Sequence, residues 1–161
     1  MACERLPSQM LMVLQRVSHA QVEVDGIVRG SIGPGIMALV GLVEGDTDAE
    51  LGWCCDKLLD LRIFEDAAGK MNLSLRDVTG SGVLLIPNFT LAGDARKGRR
   101  PSFDRAMKPE RAEAMFGAFV QRVRASAGDA INVQMGVFRT HMRVSLLNDG
   151  PVTLIIDSAQ R

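Results

Sequence analysis

The run Ile36–Val43 (IMALVGLV) constrains this chain more than any other segment. It has no polar position to face water, so as a strand it must be covered on both faces. At eight residues it falls far short of the roughly 18–20 that a membrane-spanning helix needs. Gly33-Pro34-Gly35 immediately before it makes a turn and leaves no helix start. A doubly covered strand requires a layered domain.

The surrounding segments supply those layers. Residues 11–24 (LMVLQRVSHAQVEV) begin apolar and then alternate, as two strands or one bent strand. Asp25-Gly26 is a hairpin signal, with Ile27–Ile32 as the returning strand. Thr47 and Glu50 form an S/T-x-x-E capping box. Leu51, Cys54, Cys55, Leu58 and Leu59 follow on one helical stripe that ends near Leu61. Phe64–Leu73 reads as strand, turn, strand, and Val83–Ile86 as a short buried strand closed by Pro87. Pro109 opens a second helix carrying Ala112, Met115, Phe116, Phe119, Val120 and Val123 on one face, and Gly128 ends it. Val133–Phe138, Met142–Leu147 and Val152–Ile156 complete the expected strands, with Asn148-Asp149-Gly150-Pro151 as a turn. Two helices against about nine strands, in mixed order, imply a layered α/β or α+β domain, here taken as a single mixed α/β domain with layered sheets.

Charge and cysteine content narrow the function. The 161 residues carry 19 Lys+Arg against 19 Asp+Glu, which excludes a protein that holds nucleic acid by bulk positive charge. Aromatics are 4%, with no Tyr, too few for an extended base-stacking platform. The first residues lack the basic start and apolar core of a secretory signal. Cys3, Cys54 and Cys55 are odd in number and lack C-x-x-C spacing, which points to a reduced, cytoplasmic compartment. His19 and His141 have no partner at ligand spacing, so no metal site is expected and a structural role is.

Familiar chemistry is hard to assemble. Gly30–Gly35 has glycines like a dinucleotide loop, but a strand follows where a helix N-terminus should hold the pyrophosphate. Gly93–Gly98 has P-loop glycine spacing without the Lys-Ser/Thr that follows it. No G-x-S-x-G nucleophile elbow is present, and the carboxylates of Asp46, Asp48, Glu65 and Asp66 sit in turns and caps. Two features stand out. Arg96, Lys97, Arg99 and Arg100 place four cations in five residues, which is either a solvated loop or a phosphate contact. Gly150-Pro151 is either part of a plain turn or a rigid, cis-capable bond presenting two carbonyls to an ammonium group.

The segments LQRVSHAQVEVDG, GSIGPGIMALVGL, RIFEDAAGKMN, NFTLAGDARKGRRPSF and NDGPVTL together resemble the bacterial-type D-aminoacyl-tRNA deacylases, in order, from about Met10 to Asp157. Residues 1–9 precede that family's usual start and are expected to be a flexible extension of the domain 10–161. The resemblance implies that family's fold and a cytoplasmic homodimer with its active sites at the subunit interface, needing no cofactor. Its substrate would be the 3′ end of aminoacyl-tRNA, and its reaction hydrolysis of the ester to a D-amino acid or glycine. One family signature, Ser-Gln-x-x-Thr, corresponds to the stretch Pro87-Asn88-Phe89-Thr90-Leu91, which carries its Thr one position early, at Thr90. The other, Asn-x-Gly-Pro, is matched in full by Asn148, Gly150 and Pro151. By the same resemblance, Gly150-Pro151 is cis and enters the partner's pocket, where its carbonyls engage the amino group and exclude an L side chain. Phe89 is assigned a backbone donor role, Thr90 a lining or water-orienting role with a covalent nucleophile as the alternative, and Pro87, Asn88 and Asn148 substrate contacts, while the ribose 2′-hydroxyl assists.

This chain departs from the family at Pro87, which removes a hydroxyl and an N–H, and at Asn88, one methylene shorter than Gln. A Pro at this point also occurs in animal relatives with relaxed chirality. Relaxed aminoacyl-tRNA editing, a non-catalytic tRNA-binding module and a general small-ester hydrolase are the competing readings.

Overall fold

A computed structural model describes residues 8–161 of the chain. The strand β1 (Leu11–Val24) is continuous and passes through Asp25 and Gly26, both at positive φ, into β2 (Ile27–Ile32). Positive φ at both turn residues gives the twist that joins antiparallel strands through two residues. The run singled out above forms β3 (Gly35–Gly41). Ile36, Ala38 and Val40 face one core cluster and Met37 the other, so the strand is covered on both faces as predicted.

Helix α1 (Asp48–Asp60) starts at Thr47 with both halves of the capping box formed, and Leu61 caps its end. A small hairpin, β4 (Phe64–Glu65) and β5 (Met71–Leu73), precedes β6 (Gly82–Pro87). Helix α2 (Pro109–Ala127) ends at Gly128, and β7 (Asn132–Met135) and β8 (Arg143–Asp157) follow. The main sheet runs β2-β1-β3-β6-β7, with β8 along the other side of β1. β3, β6 and β7 are mutually parallel, while β1 is antiparallel to its neighbours. The sheet curls until β2 lies against β7: a Cβ on Gly30 would stand 3.1 Å from the Met135 carbonyl oxygen. Both helices pack on the outer face, where Leu51, Cys54, Leu58, Phe116, Phe119 and Val123 meet Leu14, Ala38 and Leu85.

The structure corrects three expectations. There are eight strands among the described residues, because the two expected near the end form one, β8. The predicted turn at 148–151 is instead a wide bulge. Asn148 pairs with Val17 and Thr153 with Gln15, so Asp149–Val152 face the single residue Arg16. β1 is long enough to pair on both sides of the inserted residues, so the chain keeps its direction and bows outward. The strand expected over Val133–Phe138 is β7 and stops at Met135.

Cys54 and Cys55 are buried and unbridged, and Cys3 lies outside the described residues. So do residues 1–7 of the expected flexible extension. Ser8 and Gln9 are hydrogen bonded: Ser8 Oγ donates to Glu50 Oε1 (3.0 Å) and the Gln9 N–H to Asp46 Oδ1 (2.7 Å). Glu50, almost fully buried, also pairs with Arg161 at 2.6 Å, which draws both ends of the described chain onto the start of α1.

Candidate active site

The first signature lies where β6 leaves the sheet, at the carboxyl edge of three parallel strands, where open α/β sheets characteristically carry their ligands. Pro87 pairs with Val40 at the last position of β6, and the Asn88 N–H donates to the Val40 carbonyl at 2.8 Å. A 3₁₀ turn, Phe89–Ala92, begins there with Asn88 as its cap. Asn88 Oδ1 accepts from the Thr90 N–H (3.2 Å) and from Thr90 Oγ (2.5 Å). That commits the hydroxyl proton to an amide oxygen, which is no base, and leaves the oxygen's lone pairs free to accept. Phe89 is the first residue of the turn, a position whose N–H has no partner within the helix. The turn sits so close on β3 that a Cβ on Gly41 would fall 2.7 Å from Leu91 Cβ.

Phe89 and Thr90 are exposed. The Phe89 ring meets that of Phe103 edge to face, with centroids 5.2 Å apart and planes at 73°. Between them in sequence, Asp94 and Ser102 exchange two backbone hydrogen bonds and close the basic loop at its base. Within it Arg96 donates to Asp94 three times, from its backbone N–H, Nε and Nη2, at 2.6–3.0 Å. These bonds hold the Asp94 carboxyl well below the usual carboxylate range. Arg96 therefore shapes the loop. Lys97, Arg99 and Arg100 are exposed and form no salt bridge among the described residues.

The second signature is the bulge of β8. The Gly150-Pro151 bond is cis, as the resemblance implied, and both residues are exposed. Asn148 turns its amide inward on the bulge, accepting from the Val152 N–H at 2.9 Å and donating to Thr153 Oγ1 at 3.0 Å. Asn148 thus clasps the segment, a part that its place in the motif alone does not reveal. Gly150 has φ 153°, and a Cβ there would lie 2.6 Å from the Val152 nitrogen.

Arg16 is the residue that sequence reasoning missed. It is only 8% exposed, and donates from Nε to the Asp149 carbonyl and from Nη1 to the Ile63 carbonyl, both at 2.8 Å. The signal was present in LQRV: Arg16 falls in phase with the inward-facing Met12 and Leu14. A charge at an inward position requires partners that sequence alone cannot name.

One chain does not bring the two signatures together. Pro87 is level with Val40, Met12 and Ile156, whereas the bulge is level with Arg16. Along the sheet the separation is roughly 13 Å in the strand direction and about 14 Å across three strand spacings. The outer edge of β8 pairs with no strand among the described residues, and it displays Leu147 and Ile155, 54% and 77% exposed. Also among the described residues, His19 and His141 are exposed and no group of His, Cys, Asp or Glu could hold a metal ion.

Comparison with known proteins places this geometry. Residues 13–157 match the family model described as D-Tyr-tRNA(Tyr) deacylase. The chain is 50% identical over 149 residues to a D-aminoacyl-tRNA deacylase of Kosmotoga olearia, covering 92% of this chain and 97% of that one. It is also 50% identical to the protein of that name from Geobacter sulfurreducens, covering 92% and 95%. A solved structure titled c-Myc DNA Unwinding Element Binding Protein superposes with a TM-score of 0.83 at 37% identity, covering 91% of this chain and 97% of its own. With both signatures inside the matched span, and half of all aligned residues shared with these relatives, the chain belongs to the D-Tyr-tRNA(Tyr) deacylase family.

Proposed function

We propose that this protein hydrolyses the ester between a D-amino acid, or glycine, and the 3′-terminal adenosine of tRNA, acting in the cytoplasm as a homodimer. The observation that carries the reading is the separation of the two signatures within one chain. Phe89, Thr90, Gly150 and Pro151 are exposed and each signature is fastened, yet the two stand at different levels of the sheet. A second copy, docked along the unpaired edge of β8, supplies the missing half of each site. The exposed Leu147 and Ile155 suit burial there.

In this reading the ester carbonyl rests against the Phe89 N–H, which stabilises the oxyanion as water adds. Thr90 Oγ, its proton held by Asn88, accepts from the attacking water and orients it. The ribose 2′-hydroxyl assists at the departing 3′ oxygen, so part of the catalyst belongs to the RNA. Pro87 and Asn88 line the pocket. The partner's Gly-Pro carbonyls receive the ammonium group of the substrate and leave no room for an L side chain.

The test is deacylation of matched D-, L- and glycyl-tRNA. Release from the D- and glycyl forms with the L form spared is expected. Equal D and L rates would make the protein a relaxed editing enzyme, and the double change Pro87→Ser with Asn88→Gln should then restore discrimination. Activity indifferent to loss of the 2′-hydroxyl would point to a general esterase. The solved structure named for binding a DNA element motivates one further reading, a non-catalytic nucleic-acid module. Retained tRNA binding with no hydrolysis would establish it.

A further inference from the structure

Phenylalanine is used sparingly in this chain, six in 161 residues, and Phe64, Phe116 and Phe119 are buried in the core. Phe89 and Phe103 instead stand among the exposed large apolar residues, 59% and 38% exposed, in edge-to-face contact. The core does not need them, and their rings keep apolar surface in water. Phe103 is held in place: its Cε1 lies 2.9 Å from where a Cβ on Gly93 would be, so the ring rests on the end of the 3₁₀ turn.

The basic loop springs from the same place. Its base is the Asp94–Ser102 bridge, next to Gly93 on one side and Phe103 on the other. Arg96 is bound to Asp94, which leaves Lys97, Arg99 and Arg100 as the exposed loop cations that form no salt bridge among the described residues. Phe89 carries the ester-side N–H on its backbone and turns its ring toward Phe103. The base of the basic loop therefore adjoins the aromatic pair, one ring of which belongs to the residue that carries the ester-side N–H.

We propose that the Phe89–Phe103 pair and the cations Lys97, Arg99 and Arg100 form a subsite for the single-stranded RNA tail just upstream of the esterified adenosine. One nucleobase stacks on the rings and the flanking phosphates meet the cations. This rests on the deacylase reading above. Aromatic faces take any base, and Arg and Lys beside them take the backbone without reading sequence. An exposed aromatic pair at the base of a loop whose three cations form no salt bridge among the described residues is complementary to a chain that alternates flat bases with phosphates. It also lets a protein of zero net charge hold RNA locally.

The experiment compares kcat/KM on D-aminoacyl-tRNA with kcat/KM on the tail-less 3′-D-aminoacyl-adenosine, for wild type, Phe103→Leu and Phe103→Tyr. Phe103→Leu should lower the ratio of the two about tenfold, through KM for the tRNA, while Phe103→Tyr keeps it near wild type. An unchanged ratio, with both substrates slowed alike, would mean that the ring only shapes the turn and would overturn the proposal. A change in sedimentation of Phe103→Leu would mark the ring as a subunit contact, with the same consequence. If wild type hydrolyses neither substrate, it is the deacylase reading that fails. The subsite is then decided by anisotropy of a fluorescent CCA-ended oligonucleotide, where undiminished binding by Phe103→Leu counts against it.

Discussion

Asn88 fastens Thr90 across two residues of chain, whereas Asp149 is fastened by Arg16, 133 residues away. The first half of the candidate site is a local motif. A cap, a 3₁₀ turn and one backbone bond to β3 suffice to build it. The second half is a bowed excess of chain in a strand, kept outward by a buried guanidinium and by Asn148. A local motif survives loosening elsewhere, but one held by a distant buried charge fails when that charge is removed. The two halves should thus respond differently to perturbation.

The largest effect is expected from Arg16→Met. It strips a charged donor from the Asp149 and Ile63 carbonyls and should cost about 3 kcal/mol in denaturant unfolding, with deacylation abolished. Arg16→Lys should rescue only partly, since one ammonium cannot reproduce the guanidinium fork. A fully active, stable Arg16→Met protein would show that the bulge holds itself. Gly150→Ala comes next. Its Cβ would collide with the Val152 nitrogen, and the displacement should slow hydrolysis roughly 100-fold. Binding of uncharged tRNA, which in the proposed reading uses only the first half and the basic loop, should be retained.

Asn88→Ala removes the cap and should cost about 1 kcal/mol by thermal unfolding. It should also lower kcat several-fold, because Thr90 loses its orientation. Equal damage from Asn88→Ala and Arg16→Met would erase the contrast between local and distant support.

Acid should act on the fold that carries both halves. Burial pushes the Glu50 carboxyl up, but hydrogen bonds from the Thr47 side chain and backbone, from Ser8 and from Arg161 more than offset it and hold it at about 2. A carboxyl held below its unfolded value contributes stability that is complete above about pH 4.3 and is lost as pH falls through its folded value. Acid unfolding should therefore steepen between about pH 4 and 2. Glu50→Gln should flatten that limb, read as unfolding midpoint against pH. Asp46, whose carboxyl burial raises, contributes with the opposite sign. The smallest effect is expected at the loop tip. Neutralising Arg99 and Arg100 should weaken tRNA binding a few-fold. It should also reduce the logarithmic salt slope by about 0.7 for each single-strand phosphate that is no longer neutralised. An unchanged slope would leave the loop merely solvated.

Legibility followed the range of the interactions. The capping box at Thr47, the hairpin at Asp25-Gly26 and the helix between Pro109 and Gly128 rest on interactions within a few residues, and they stand where their residues put them. The strand Ile36–Val40 was legible because an unbroken apolar run has only one comfortable environment. The bulge at Asp149–Val152 was not, because Asn-Asp-Gly-Pro in isolation makes a turn. Only the neighbouring length of β1 keeps the chain straight through it. Nor was the division of labour among the four loop cations, which depends on Asp94 folding back on Arg96.

By itself the sequence determined the covered central strand, the two amphipathic helices and the residue types at both signatures, since periodicity and capping act over one or two turns of chain. Tertiary structure alone decided that Arg16 points inward to support Asp149. It alone set the two signatures at different levels of the sheet, and left Phe89 and Phe103 facing water at the base of the basic loop. Those outcomes depend on which strands become neighbours and in what register, which are energies of pairing between distant segments.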